Sequence, residues 1–233
     1  MYWNNPTIKL KWPADFDPIN QSLHNNQHVL FYDDAVDKTL IRSNQSLLDL
    51  CNWVNDRIAS QGWDEFVQDQ GNHYEIANLI KLNMWVDSLC RDGNIKPMLL
   101  QYVGNPLFET GTGESRLRAL ERLPQIKTCQ AFISTHKKFA DKFAHLPTVK
   151  TFDQFAQLCQ AVSDQTFSFR LTDANAVYGL DWYEYDSAQT ASVTPGVAFC
   201  VEAMTNYFKQ HPDTRFTPGW FDTLINWSDY KSS

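Results

Sequence analysis

Apolar residues return at intervals of three and four from Leu47 onward. Leu47, Leu50, Cys51, Val54 and Ile58 fall on one stripe, with Ser43 placed before them as an N-cap and Gly62 after the last polar turn. That spacing predicts a helix over about 45–60. The segment YEIANLIKLNMWVDSLCRDGN repeats the stripe through Ile76, Leu79, Ile80, Trp85 and Leu89, and ends at Asp92-Gly93, where a left-handed cap stops a helix. An apolar run over about 95–103 then reads as a strand, Gly104-Asn105-Pro106 as a turn and 107–110 as a second strand, so the simplest joining is a hairpin. A helix over about 114–123, stopped by Pro124, leads to a third strand in KTCQAFIS. After it comes a basic amphipathic helix over about 136–145 that buries Phe139 and Phe143.

The flanks are less regular. The first forty residues hold polar turns around two strand candidates, TIKLKW and HVLFY, and read as an extended cap or edge. Downstream, Thr151 and Gln154 form a capping-box pattern ahead of Phe155, Leu158, Cys159 and Val162. FSFRL and AVYGLDWYEYD read as strands or an aromatic loop. Two helices open at Thr194-Pro195-Gly196 and Thr217-Pro218-Gly219, with proline where a helix start tolerates it. The expected class is α+β: a core at 76–150, an N-terminal extension at 1–75 and a mainly helical C-terminal extension at 151–233, together one compact unit.

Composition adds a large core, since 43% of the 233 residues are hydrophobic and 14% aromatic. No run is long and apolar enough for a membrane span, and the start lacks the layout of a signal peptide, so a cytoplasmic protein without membrane contact is expected. Five scattered cysteines, at 51, 90, 129, 159 and 200, without a C-x-x-C pair, read as buried reduced thiols.

Charge changes the picture more. The chain carries a formal net charge of −7, yet residues 111–150 hold 8 Lys and Arg against 3 Asp and Glu. This basic island opens on FETGTGESRLRALERLP. Glycines there allow close backbone approach, a helix N-terminus presents unpaired amides, and two arginines follow within one turn, which suits a phosphate.

The stretch WVDSLCRDGNIKPMLLQYVGNPLFETGTGESRLRALERLPQIKTCQAFIS resembles the core of the ParB/sulfiredoxin-like family: a helix ending in Gly, an Ile-x-Pro strand, a hairpin, and a helix opened by G-E-R-R-x-R-A before another strand. Gly93, Ile95 and Pro97 match the first part, and Gly113, Glu114, Arg116, Arg118 and Ala119 the second. The resemblance implies a small mixed sheet with helices, to which this chain adds extensions at both ends. It also implies a nucleotide or other phosphate ligand, such as a nucleoside triphosphate with Mg²⁺, held at Gly111, Thr112, Gly113, Ser115, Arg116 and Arg118. Glu114 would be the catalytic group if phosphoryl transfer or nucleotide hydrolysis occurs. Arg116 is then expected at a surface site, with little weight in stability.

Three departures limit the parallel. Ser115 replaces the first arginine of the family run; STHKKF stands where partition proteins carry a metal-holding Glu-Asn-x-x-Arg; and no helix-turn-helix unit follows. The turn also lacks the cysteine that sulfiredoxin chemistry requires. The competing reading is therefore a non-enzymatic DNA-associated or protein-interaction module that keeps the fold, with nucleic acid contacted through the basic 116–142 island, including Lys127, Lys137, Lys138 and Lys142. Those lysines read equally as the solvated face of a helix. His136 reads first as a surface or N-capping residue, the lesser alternative being approach to a bound phosphate. His24 and His28 have metal-compatible spacing in a turn-like segment. Asp173, Asp181, Glu184 and Asp186 read either as a solvated loop or, with Glu114, as the candidates for Mg²⁺.

Overall fold

The computed structural model describes residues 27–92, 97–151, 154–155, 157–158 and 195–230. TIKLKW, His24, Gly93, Ile95, FSFRL, AVYGLDWYEYD and the carboxylates at 173–186 lie outside them.

The strands are β1 (His28–Asp37), β2 (Ile41–Arg42), β3 (Met98–Tyr102), β4 (Phe108–Thr112), β5 (Thr128–His136) and β6 (Thr148–Val149). They form one mixed sheet in the order β2-β4-β3-β5-β1-β6. The helices are α1 (Leu47–Gln61), α2 (Trp63–Gln68), α3 (His73–Asp92), α4 (Glu114–Arg122) and α5 (Pro195–Gln210). The architecture is α+β.

The predicted hairpin is present, β3 pairing antiparallel with β4, and β5 lies parallel to β3 on its other side. HVLFY does not behave as a cap or an edge. It belongs to β1, an inner strand paired antiparallel with β5 from His28–His136 to Asp37–Thr128 and flanked outside by β6. Local pattern identified the strand, but its neighbours come from residues a hundred positions away, which no local pattern encodes.

The N-cap of α1 is Ser46, not Ser43. Ser46 Oγ accepts from Asp49 N at 3.1 Å and donates to Asp49 Oδ2, which fixes the first turn, while Ser43 turns to Gln45 O and to Glu114. Gly62, at φ 82°, ends the helix as expected. Residues 137–143 form a 3₁₀ turn, not an α-helix. His136 Nδ1 caps it by accepting from Lys138 N, and Pro147 closes the segment just before β6. The tighter winding brings the rings of Phe139 and Phe143 to 5.5 and 5.1 Å from Tyr102.

The core sits between the sheet and α3. Ile76, Leu79, Ile80, Leu82, Trp85 and Val86 are all buried, and α3 packs against both α4 and α5. α3 is apolar on nearly every side because it is sandwiched, not surface-lying. On the opposite face of the sheet Phe155 packs against Phe132 with the rings tilted, their centroids 4.5 Å apart. Among the described residues no helix is long and apolar enough to cross a membrane.

Candidate functional site

The expected phosphate turn lies at the joint between β4 and α4. Gly111 and Thr112 are strand residues: Leu99 pairs with Thr112 and Leu100 with Thr110, leaving Gly111 as the extra residue of a bulge. Gly113, at φ 115°, is the left-handed residue before α4. A Cβ there would lie 2.7 Å from Met98 Cγ, so the glycine is required by its own fold before any ligand is considered.

The side chains that follow turn inward or toward a neighbouring loop. Arg116, 3% exposed, donates from Nη1 to Pro97 O at 2.8 Å and sits 5.7 Å from the centroid of the Trp85 ring. Arg118, 6% exposed, donates to Gln45 O and Gln45 Oε1, both at 3.1 Å. Ser115 Oγ donates to Asn78 Oδ1 at 3.3 Å. Glu114 accepts from Ser43 Oγ and from both the backbone N and Nδ2 of Asn44, at 3.0–3.3 Å. One turn pair further on, Glu121 Oε2 accepts from Leu47 N, one of the amides α1 leaves without a helical partner.

Glu114, Arg118 and Glu121 thus form a stripe at i, i+4 and i+7 that grips loop 43–47. Arg116 is a buried residue, contrary to its expected surface placement. The rest of the expected basic island is dispersed as well. Arg122 pairs with Asp222, Nε to Oδ1 at 2.9 Å, and Lys127 stands at the beginning of β5, remote from Lys137 and Lys138 at its end.

In a different place polar groups gather around the exposed Lys138. At the carboxyl ends of the parallel pair β3 and β5, a cleft of about 220 Å³ is lined by His28, Gln101, Thr135, His136, Lys138 and Phe139, together with Tyr102, Val103 and Ser134. Register explains the assembly, because Gln101 lies beside Ser134, Tyr102 beside Thr135, and His28 opposite His136. Thr135 Oγ1 donates to Tyr102 O at 3.0 Å and ties the two strand ends together. The His28 and His136 rings meet edge to face at 5.4 Å. With Nδ1 of His136 accepting from Lys138 N, the neutral ring carries its proton on Nε2. Lys142 Nζ donates to Tyr102 Oη just beyond the rim.

The cleft and the α4 start lie at opposite ends of β3. Met98 touches Gly113 and Tyr102 lines the cleft, four strand steps or about 13 Å apart. The sequence points to His136 and the lysines but not to their union with His28, Gln101 and Thr135. The available signal was the polar run Ser134-Thr135-His136 directly after the apolar Ala131-Phe132-Ile133 in the same strand.

Among the described residues no three or more His, Cys, Asp or Glu side chains gather as metal ligands. The described thiols are mostly protected: burial pushes Cys51 up to about 11 and Cys129 and Cys200 to about 12. Cys90 departs from the expected burial, being exposed near the end of α3. Comparison of the chain with family models, curated proteins and solved structures finds no match.

Proposed function

We propose that this chain is a ParB/sulfiredoxin-like protein that binds a phosphate-bearing ligand, and that the anionic group is received in the cleft at the carboxyl ends of β3 and β5. The order of helix, hairpin, G-E-x-R-x-R helix and parallel strand supports the family reading. The observation carrying the functional reading is the cleft itself. The Lys138 ammonium and the imidazoles of His28 and His136 converge on a small opening at the strand ends, beside the polar strand residues Ser134 and Thr135.

The reading is one of binding. Glu114 already accepts three hydrogen bonds from loop 43–44 and stands at the far end of β3, and Arg116 and Arg118 are bonded to main-chain carbonyls. A ligand at the α4 start would have to displace these bonds.

The test is an amide-resolved NMR titration with inorganic phosphate, nucleoside 5′-monophosphates and the four nucleoside triphosphates, each with and without Mg²⁺. Shifts are expected at Thr135, His136 and Lys138. Shifts at Gly113–Arg118 instead would return the site to the α4 start, and no shift at either end would remove the phosphate reading.

A further inference from the structure

The size of the cleft sets the first constraint. At about 220 Å³ it falls below the about 300–1,000 Å³ of pockets that enclose a drug-sized ligand. It therefore holds one group of a ligand whose remainder lies outside. What surrounds the opening indicates the chemistry of that remainder.

Lys137, Lys138 and Lys142 are all exposed on the 3₁₀ turn beside the opening, with Asp141 the acidic residue of the same turn. The acidic residues of β1, Asp33, Asp34 and Asp37, stand toward its other end. Apolar surface is also present at this rim. In the β3–β4 turn Val103 is 50% exposed and Leu107 40%. The turn is held against Phe139, since a Cβ on Gly104 would lie 2.9 Å from the ring's Cζ. Phe139 itself is half-buried and lines the cleft.

We infer that the cleft and its rim form a binding surface for single-stranded nucleic acid, one phosphate seated between His28, His136 and Lys138 and the neighbouring chain running over Lys137 and Lys142. This deepens, and rests on, the phosphate-binding reading of the same cleft. The partner follows from three properties required together: a repeated anion, a flexible backbone to bend one group into a small opening, and flat apolar faces to cover the exposed Val103 and Leu107. Unpaired nucleotides supply all three. A duplex keeps its bases stacked inside and offers the apolar rim nothing to cover.

The experiment is fluorescence anisotropy of the full chain with an end-labelled 12-nucleotide oligo-dT and with a 12-base-pair duplex, between 50 and 200 mM salt. The single strand is expected to bind more tightly than the duplex. The slope of log K against log salt should be about −2, from about three phosphate contacts at about 0.7 each. The double substitution Lys137→Glu and Lys138→Glu should weaken binding at least tenfold. Val103→Ser with Leu107→Ser, both at exposed positions, should weaken it severalfold without changing the slope.

Tighter duplex binding, a flat salt dependence or indifference to the lysine substitutions would each overturn the inference. Phosphate-induced NMR shifts at the cleft without oligonucleotide binding would overturn it and leave the phosphate reading in place. Absence of both would overturn both.

Discussion

Gly113 and Arg116 are constrained by neighbouring residues, Met98 at the start of β3 and Pro97 just before it. The Arg116 guanidinium satisfies Pro97 O beneath α4, so Arg116→Ala leaves a buried carbonyl unpaired and a void beside Trp85. A loss of about 2–4 kcal/mol in urea unfolding is expected. Unchanged stability would place the side chain outside the core. Gly113→Ala combines a φ of 115° with a 2.7 Å approach to Met98 Cγ, and should cost about 2–3 kcal/mol. The cysteines divide in the same way by their surroundings. Burial raises the thiols of Cys51, Cys129 and Cys200, so they keep their protons while an unfolded thiol ionises near pH 8.5. The native state then binds more protons, and stability falls as pH rises above that value. Cys200→Ala should flatten the fall by about 1.4 kcal/mol per pH unit between about pH 9 and 11. Peptide mapping after iodoacetamide treatment of the native protein should find Cys90 modified and these three protected.

α4 shows how an element can be legible while its purpose is not. Its start after Gly113 and its end before Pro124 were both readable, because positive φ and proline punctuate a helix locally. The family resemblance implies a ligand beside Glu114 and Arg118, and in the fold these two, with Glu121, bond to loop 43–47, some seventy residues away. The other end of the helix has a similarly distant partner. Lys38 Nζ donates to Leu120 O at 2.7 Å and Leu123 O at 3.1 Å, capping the carboxyl end where its charge also complements the helix dipole. Desolvation pulls the Lys38 ammonium below its usual range, which lowers the net worth of this cap. Lys38→Met is expected to destabilise by about 1–2 kcal/mol and to accelerate amide exchange in the last turn of α4. Exchange unchanged there would mean that the helix end holds without the lysine.

At the scale of the molecule, the C-terminal part is joined to the sheet domain through α3. Asn83, fully buried, donates from Nδ2 to Phe221 O and Thr223 O at 3.2 and 2.9 Å, and its Oδ1 accepts from Trp227 Nε1 at 3.0 Å. Aromatic packing surrounds this joint, including Trp63 stacked on Phe208 at 4.1 Å. Asn83→Ala removes three buried bonds and should cost about 3–5 kcal/mol, with a blue-to-red shift in tryptophan emission at lower urea than in the parent chain. If the C-terminal part detached first, two transitions would appear in place of one. A single transition at lower urea is the expected result, because α3 belongs to both packing layers.

The sequence by itself determined the α+β class, the helices α1, α3 and α4, the β3–β4 hairpin and the strand β5, since each follows from periodicity and from Gly, Pro and capping residues within a few positions. Tertiary structure decided where β1 sits, why residues 137–143 wind as 3₁₀, and which members of the basic island are buried. Arg116 and Lys138 are both cations in one local composition, and their fates differ only because Pro97 O lies beneath one and solvent beside the other. The cleft belongs to the same category. His28 and His136 stand 108 positions apart and meet because antiparallel register makes them neighbours, a relation set by the whole sheet and by no segment of it.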